Sequence, residues 1–159
     1  MPLRPTVKVV VPTSEKQGQL WRFTLTQPDL DWFKSDFNDS SWSLGQGGFG
    51  TEGTPGAVVR TTWTTGNIWL RSTVVVPDTR FTSLQLTLHH DEDAAVYING
   101  VLAGTYGGYT SEYEDYLLTP EGLAAIKPGK NVIAVSCRQT AGGQYIDLGI
   151  VDLIPSHKK

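Results

Sequence analysis

Apolar and polar residues along this chain alternate in short runs, broken at intervals by Gly, Pro, Asn and Asp. Ser83-Leu84-Gln85-Leu86-Thr87-Leu88-His89 alternates strictly, which predicts a strand with one buried and one wet face. Ile68 to Val76 is apolar nearly throughout, as suits a strand covered on both faces. Runs rich in Val, Ile, Thr, Leu and aromatics predict strands at Thr6–Val11, Leu20–Thr26, Asn67–Val76, Ser83–His90, Ala95–Ile98, Val101–Tyr106, Asn131–Arg138 and Tyr145–Leu153. Tyr97-Ile98-Asn99-Gly100-Val101 is a hairpin signal, because Asn-Gly supplies the positive φ angles of a type I′ turn. Helix is scarce. Pro120 to Ile126 predicts about one and a half turns after a Thr119 cap. Asp36-Phe37-Asn38-Asp39-Ser40-Ser41-Trp42 reads as a capped turn that pins Trp42 inward. Many short strands joined by Gly and Pro turns give an all-β fold, a two-sheet sandwich or a barrel.

Three segments fall outside this pattern. Gly45 to Thr62 contains Gly45, Gly47, Gly48, Gly50, Gly53 and Gly56. Gly107 to Tyr116 carries Tyr109, Tyr113 and Tyr116, and Gln139 to Gln144 is shorter. Long loops in a compact domain are usually functional or disordered. Tyr-rich loops with glycines make adaptable recognition surfaces, since Tyr offers rigid apolar area and a hydroxyl. Gly45-Gln46-Gly47-Gly48-Phe49-Gly50 is not a phosphate loop: no Lys-Ser/Thr follows, and no strand-to-helix context frames it.

Size and charge narrow the reading. The 159 residues suit a single domain with its core at about 6–154, large enough to fold without disulfides. Met1 to Pro5 and Pro155 to Lys159 look like linker stubs. Net charge is −3, and no basic cluster appears beyond Lys158-Lys159, which argues against nucleic acid as a partner. No run approaches the ~18 apolar residues of a membrane span, so no membrane partner is expected. Met1-Pro2-Leu3-Arg4-Pro5 has neither the apolar region nor the cleavage site of a signal peptide. The chain therefore reads as cytoplasmic or as a module cut from a longer protein, and the linker-like ends favour the module. Cys137 is the sole cysteine, and within Val132-Ile133-Ala134-Val135-Ser136-Cys137 it reads as a small buried apolar residue.

The candidate chemistry centres on His89-His90-Asp91-Glu92-Asp93. On a continuous strand, His89, Asp91 and Asp93 would share one face, a spacing able to ligate zinc or another divalent ion with a fourth partner such as Asp147. Alternatively, the acids tighten a turn by accepting backbone N–H bonds. Five Trp and six Tyr supply material for a second kind of site. An exposed indole or phenol beside Asp, Asn, Gln or Arg is the usual chemistry of sugar recognition: the ring covers the C–H face and the polar groups take the hydroxyls. No spacing marks a catalytic carboxylate pair among the sixteen acids, and no Gly-x-Ser-x-Gly elbow occurs.

Four motifs in order carry a resemblance. Phe37-Asn38-Asp39-Ser40-Ser41-Trp42 is similar to a Phe-Asp-Asp-Ser-x-Trp opening, departing from it at Asn38. Ile68-Trp69-Leu70-Arg71 with Val74-Val75-Val76-Pro77 is similar to a Trp-Tyr-Arg strand with a Val-Pro ending. Asp91 through Val101 is similar to an acidic turn, alternating strand and Asn-Gly. Pro128-Gly129-Lys130-Asn131-Val132-Ile133-Ala134-Val135 is similar to a Gly-x-Asn-x-Ile/Leu-Ala-Val strand. Over about residues 20–153 the chain thus resembles the galactose-binding-like jelly-roll domains attached to glycoside hydrolases, especially the sugar-binding domain of glycoside hydrolase family 2. The resemblance implies an antiparallel β-sandwich of jelly-roll type with little helix. It implies a non-catalytic, carbohydrate-binding module of a secreted or periplasmic enzyme, partnered by a catalytic domain. No cofactor is required, although a structural calcium fits such modules. Expected stacking residues are Trp63, Trp69, Tyr106, Tyr109 and Tyr113, with Arg71, His90, Asp91 and Gln144 as hydrogen-bonding contacts. Two other readings stay open: a sandwich that only packs against a catalytic domain, and a small metal-dependent enzyme built on His89, Asp91 and Asp93.

Overall fold

The alternating runs become strands in a computed structural model that describes residues 4–155. Met1–Leu3 and Ser156–Lys159, and with them most of the two linker stubs, lie outside the described residues. In chain order the elements are β1 (Thr6–Val11), β2 (Leu20–Thr24), β3 (Ser43–Gln46), β4 (Phe49–Gly50), β5 (Thr61–Thr62), β6 (Asn67–Val76), β7 (Leu84–Asp91), β8 (Asp93–Ile98), β9 (Val101–Tyr106), β10 (Glu114–Leu117), α1 (Pro120–Ala125), β11 (Gly129–Arg138) and β12 (Tyr145–Ile154). They form two sheets, a sandwich rather than a closed barrel. One runs β10-β7-β12-β4-β5 with β1 also on β12, and the other runs β3-β2-β6-β11-β8-β9. All pairs are antiparallel except β4 with β5.

The core lies where the inner faces meet. Leu86 and Leu88 of β7 and Ile146, Leu148 and Ile150 of β12 face Ile68, Leu70, Ile133, Val135, Val96 and Ile98 of the second sheet, all essentially inaccessible. Each such side chain contributes roughly 1.5–3 kcal/mol through burial alone. Cys137 joins them, and burial pushes its thiol well above the usual range. Asn99 and Gly100 take the expected positive φ angles, 50° and 83°. The Asn99 amide does more than turn the chain: it donates to Asn131 Oδ1 and the Ala125 carbonyl and accepts from Val132 N. α1 begins as predicted, with Pro120 in its first turn and the Thr119 hydroxyl accepting from Gly122 N.

Two expectations change. β6 is not covered on both faces throughout, since Val75 is 67% exposed. Its outer face is covered at Arg71, by the irregular segment 27–42. There Arg71 Nε donates to Asp39 Oδ2 at 2.9 Å, Nη1 to the Trp32 and Lys34 carbonyls at 2.7 and 2.8 Å, and Nη2 to the Phe37 carbonyl at 3.2 Å. This network joins the Phe-Asn-Asp-Ser-Ser-Trp turn to the Trp-Leu-Arg strand and explains why both are present. Secondly, β7 and β8 do not pair. The chain leaves the first sheet at Asp91 and enters the second at Asp93, so the acidic stretch is a corner between layers.

Candidate functional site

The three irregular segments gather at this corner. Thr51 N donates to the Gln144 carbonyl, and Gln144 N donates to Thr54 Oγ1. Thr110 N donates to the His90 carbonyl, and Tyr109 bridges Asp91. Glu92 Oε1 accepts from Thr140 N, Thr140 Oγ1 and Ala141 N, which latches the third loop and holds the Glu92 carboxyl below its usual range, the Thr140 hydroxyl being the main cause. Gly50 permits the approach, since a Cβ there would lie 2.3 Å from the Gln144 carbonyl oxygen.

The ligand set expected for a metal, His89, Asp91 and Asp93 with Asp147, does not come together. His89 and Asp91 share the outer face of β7, but Asp93 belongs to the other sheet, where its Oδ1 accepts from Gly108 N. Asp147 opposes His89 in register, yet its Oδ2 accepts from Ser14 N at 2.7 Å and the Tyr113 hydroxyl at 2.6 Å. Among the described residues no group of three or more His, Cys, Asp or Glu is placed to hold a metal ion. His89 is buried between Tyr113 and Tyr145, and burial lowers its pKa. Its Nε2 faces the Thr110 carbonyl and must donate to it.

A groove of about 500 Å³ lies on the outer face of the second sheet at the same end. Register builds it row by row. Trp69, Ser136, Ala95 and Thr105 lie side by side across β6, β11, β8 and β9. The next row toward the loops is Asn67, Arg138 and Asp93. Ser136 and Ala95 are small and leave a floor beside the half-buried indole of Trp69, which no other aromatic ring stacks against among the described residues. Arg138 is exposed, and its guanidinium makes no hydrogen bond or ion pair among the described residues. An aromatic edge, a small-residue floor and a rim of amide, guanidinium and carboxylate can hold a flat polyhydroxylated ring.

The predicted contact residues do not form one site. Trp69 and Tyr106 line the groove, although Tyr106 turns its ring inward onto Tyr116 and His90. Asp91 and Tyr109 pair through an isolated backbone bridge, away from the groove lining. The other five are engaged within the fold. Trp63 is 1% exposed, its indole donating to Thr65 Oγ1, so it offers no face for stacking. Arg71 is 3% exposed and makes four hydrogen bonds to the covering segment. His90 is buried, its Nδ1 donating to the Glu92 and Gly108 carbonyls. Tyr113 gives its hydroxyl proton to Asp147, and Gln144 is buried with Nε2 on the Thr65 carbonyl. Sequence reasoning missed Asn67, Ser136 and Arg138. The available signal was Ser136 itself, the one polar interruption in Val132 to Cys137.

No family model matches the chain, and no curated protein matches it. Solved structures do. A β-glycosidase from Bacteroides vulgatus superposes with a TM-score of 0.54 at 17% identity, covering 97% of this chain and 25% of that one. A glycosyl hydrolase family 2 member from Bacteroides cellulosilyticus gives 0.56 at 16% identity, covering 93% and 21%. A β-glucuronidase from an uncultured Clostridium gives 0.56 at 12% identity, covering 98% and 30%. The chain therefore has the fold of a domain that makes up less than a third of these enzymes' length. No helix among the described residues is long and apolar enough to cross a membrane.

Proposed function

We propose that this domain is a non-catalytic, carbohydrate-binding accessory module of a secreted or periplasmic glycoside hydrolase. The groove carries the reading: Trp69 beside a floor of Ser136 and Ala95, with Asn67, Arg138 and Asp93 on the rim. The likeness to one part of much longer glycoside hydrolases supports the accessory role. A millimolar Kd is only about −4 kcal/mol, within reach of one stacked ring and a few hydrogen bonds. Calorimetric titration with a panel of plant and algal oligosaccharides tests it. At least one should bind, and the Trp69→Ala variant should lose about tenfold or more, the loss of an aromatic contact worth roughly 1.4 kcal/mol. A flat response across the panel would remove carbohydrate binding.

A second surface supports the catalytic domain of the parent chain as a partner. At the other end of the sandwich, Phe81, Leu117, Leu118, Leu123 and Ile126 line an apolar groove of about 440 Å³, and Leu117 is 73% exposed. Contiguous apolar surface of this kind marks interaction sites. Leu117→Glu in the parent enzyme should loosen packing between its domains, read as faster proteolysis of the linker. Unchanged proteolysis would count against this role.

A further inference from the structure

Asp147 of β12 stands opposite His89 of β7 on the outer face of the first sheet, only 2% exposed. Three connecting segments reach it directly or through Tyr145. Ser14 N, from segment 12–19, donates to Asp147 Oδ2 at 2.7 Å. The Tyr113 hydroxyl, from segment 107–113, lies 2.6 Å from the same oxygen. The Tyr145 hydroxyl then links Tyr113, at 2.9 Å, to the Val58 carbonyl of segment 51–60, at 3.0 Å. Gly48 leaves room for the Tyr145 hydroxyl, which a Cβ there would overlap. Asp147 Oδ1, by contrast, is buried and has no hydrogen-bond partner among the described residues.

Hydrogens limit how this row can bond. Asp147–Tyr113, Tyr113–Tyr145 and Tyr145–Val58 are three contacts in series, and each needs one hydrogen. The two phenols supply two, and a carbonyl supplies none. With Asp147 ionised, one contact therefore brings two oxygens together with no hydrogen between them. A proton on Oδ2 completes the row: the carboxyl donates to Tyr113, Tyr113 to Tyr145, and Tyr145 to the Val58 carbonyl. The orphan Oδ1 favours the same form, since a buried charge with an unsatisfied oxygen is costly. Burial pushes Asp147 up to about 6, in agreement, and the Arg60 charge offsets this only slightly. No other neighbour fills the gap. Arg60 is engaged with the Ser14 and Glu15 carbonyls. His89 packs against both tyrosines, but burial lowers its pKa and its Nε2 hydrogen goes to the Thr110 carbonyl, so the neutral ring has no second hydrogen to give. Glu15 acts on Tyr145, and His90 and Glu114 act on His89, rather than on the carboxyl.

We infer that Asp147, Tyr113 and Tyr145 form a proton-operated latch that ties segments 12–19, 51–60 and 107–113 to the outer face of the first sheet. In acid the full row holds. When Asp147 releases its proton to solvent, the Tyr113 hydroxyl turns its hydrogen to the carboxylate, because a charge-assisted bond outcompetes a neutral one. Tyr145 is then left with one hydrogen for two acceptors, the Tyr113 oxygen and the Val58 carbonyl. The tie to segment 51–60 weakens, while Ser14 N keeps its bond to Oδ2. The latch is independent of the carbohydrate-binding reading.

Carbon and amide chemical shifts of the labelled domain, followed from about pH 4 to about pH 8, test the latch. The Asp147 carboxyl signal, identified by its loss in Asp147→Asn, should titrate near the value of about 6. The Tyr113 and Tyr145 ring carbons that bear the hydroxyls, and the Val59 amide next to the Val58 carbonyl, should move with the same midpoint. Tyr145→Phe removes the contact that lacks a hydrogen, so the Asp147 midpoint should fall by about half a pH unit or more, the size of one net hydrogen bond. Burial alone would leave that midpoint unchanged or raise it, and either result would overturn the latch. So would a Tyr145 signal that stays flat through the Asp147 midpoint in the wild type, an outcome that needs no variant to fold.

Discussion

The outer face of the second sheet divides into two halves with opposite fates. Arg71, Ala134 and Tyr97 form one row, and Trp69, Ser136 and Ala95 form the next, two residues along each strand. The first row is covered. Segment 27–42 crosses it, brings one carboxylate and three carbonyls to Arg71, and stacks Phe33 on Tyr97 at 4.5 Å. The second row has no such cover and becomes the groove floor. A single fixed cation thus anchors, with the Phe33–Tyr97 stack, the segment that covers one half of the face. Covering Arg71 is favourable because the segment brings acceptors for its donors, whereas the small, neutral floor beside Trp69 demands no partner.

The most damaging way to break this contrast is to remove the cation. Arg71→Ala leaves Asp39 and three carbonyls without their donor and should cost about 3–5 kcal/mol in urea unfolding, the range for breaking one side of a buried pair. Arg71→Lys should recover only part of that, since a point charge cannot reproduce the planar fork. Tyr97→Ala removes the ring under Phe33 and Trp32 and should cost about 1–3 kcal/mol, less than a full core truncation because Tyr97 is half-buried. Hydrogen exchange at residues 31–37 should rise with it, while exchange in β7 and β12 stays slow. On the open half the expectation reverses: Trp69→Ala should change stability by about 1 kcal/mol or less, as surface substitutions do, while impairing binding.

A smaller effect sharpens a second contrast on the first sheet. Asp147 and Asp91 are both pushed up to about 6 by burial, but Asp147 keeps hydrogen-bond donors and Asp91 has none. Both carboxyls sit near 3.8 in the unfolded chain, so between about pH 4 and 6 the folded state holds more protons. Stability should therefore fall as pH rises through that window, the reverse of a salt-bridged acid. Asp91→Asn should flatten this slope without lowering the melting temperature at pH 7, because no hydrogen bond is lost. A steeper slope, or a large loss of stability, would mean that Asp91 has a partner in the fold.

Much of the architecture was legible along the chain. The eight predicted strands all occur, as do α1 and the Asn99-Gly100 turn, because alternation, capping and positive φ are local properties. β3, β4, β5 and β10 were not visible. They are two to four residues long and owe their existence to neighbours: β4 to the start of β12, β10 to β7. The acidic corner misled for a related reason. Period-two reasoning assumes one continuous strand, and Asp91 to Asp93 changes sheet. Site residues were harder still, since an Arg in a strand or a Trp before a turn reads alike whether a distant segment covers it or not. Arg71 and Trp69 differ only in what segment 27–42 does.

Carbohydrate binding on the uncovered half of the second sheet, as proposed above, stands or falls with Ser136→Trp. The change fills the groove floor from a half-buried outward position, leaving Trp69, Arg71 and the core in place. Calorimetry on the best oligosaccharide of the panel should show a loss of at least about tenfold in affinity, roughly 1.4 kcal/mol, with the urea midpoint unchanged. Wild-type affinity in that variant, with the fold intact, would place the sugar elsewhere on the domain.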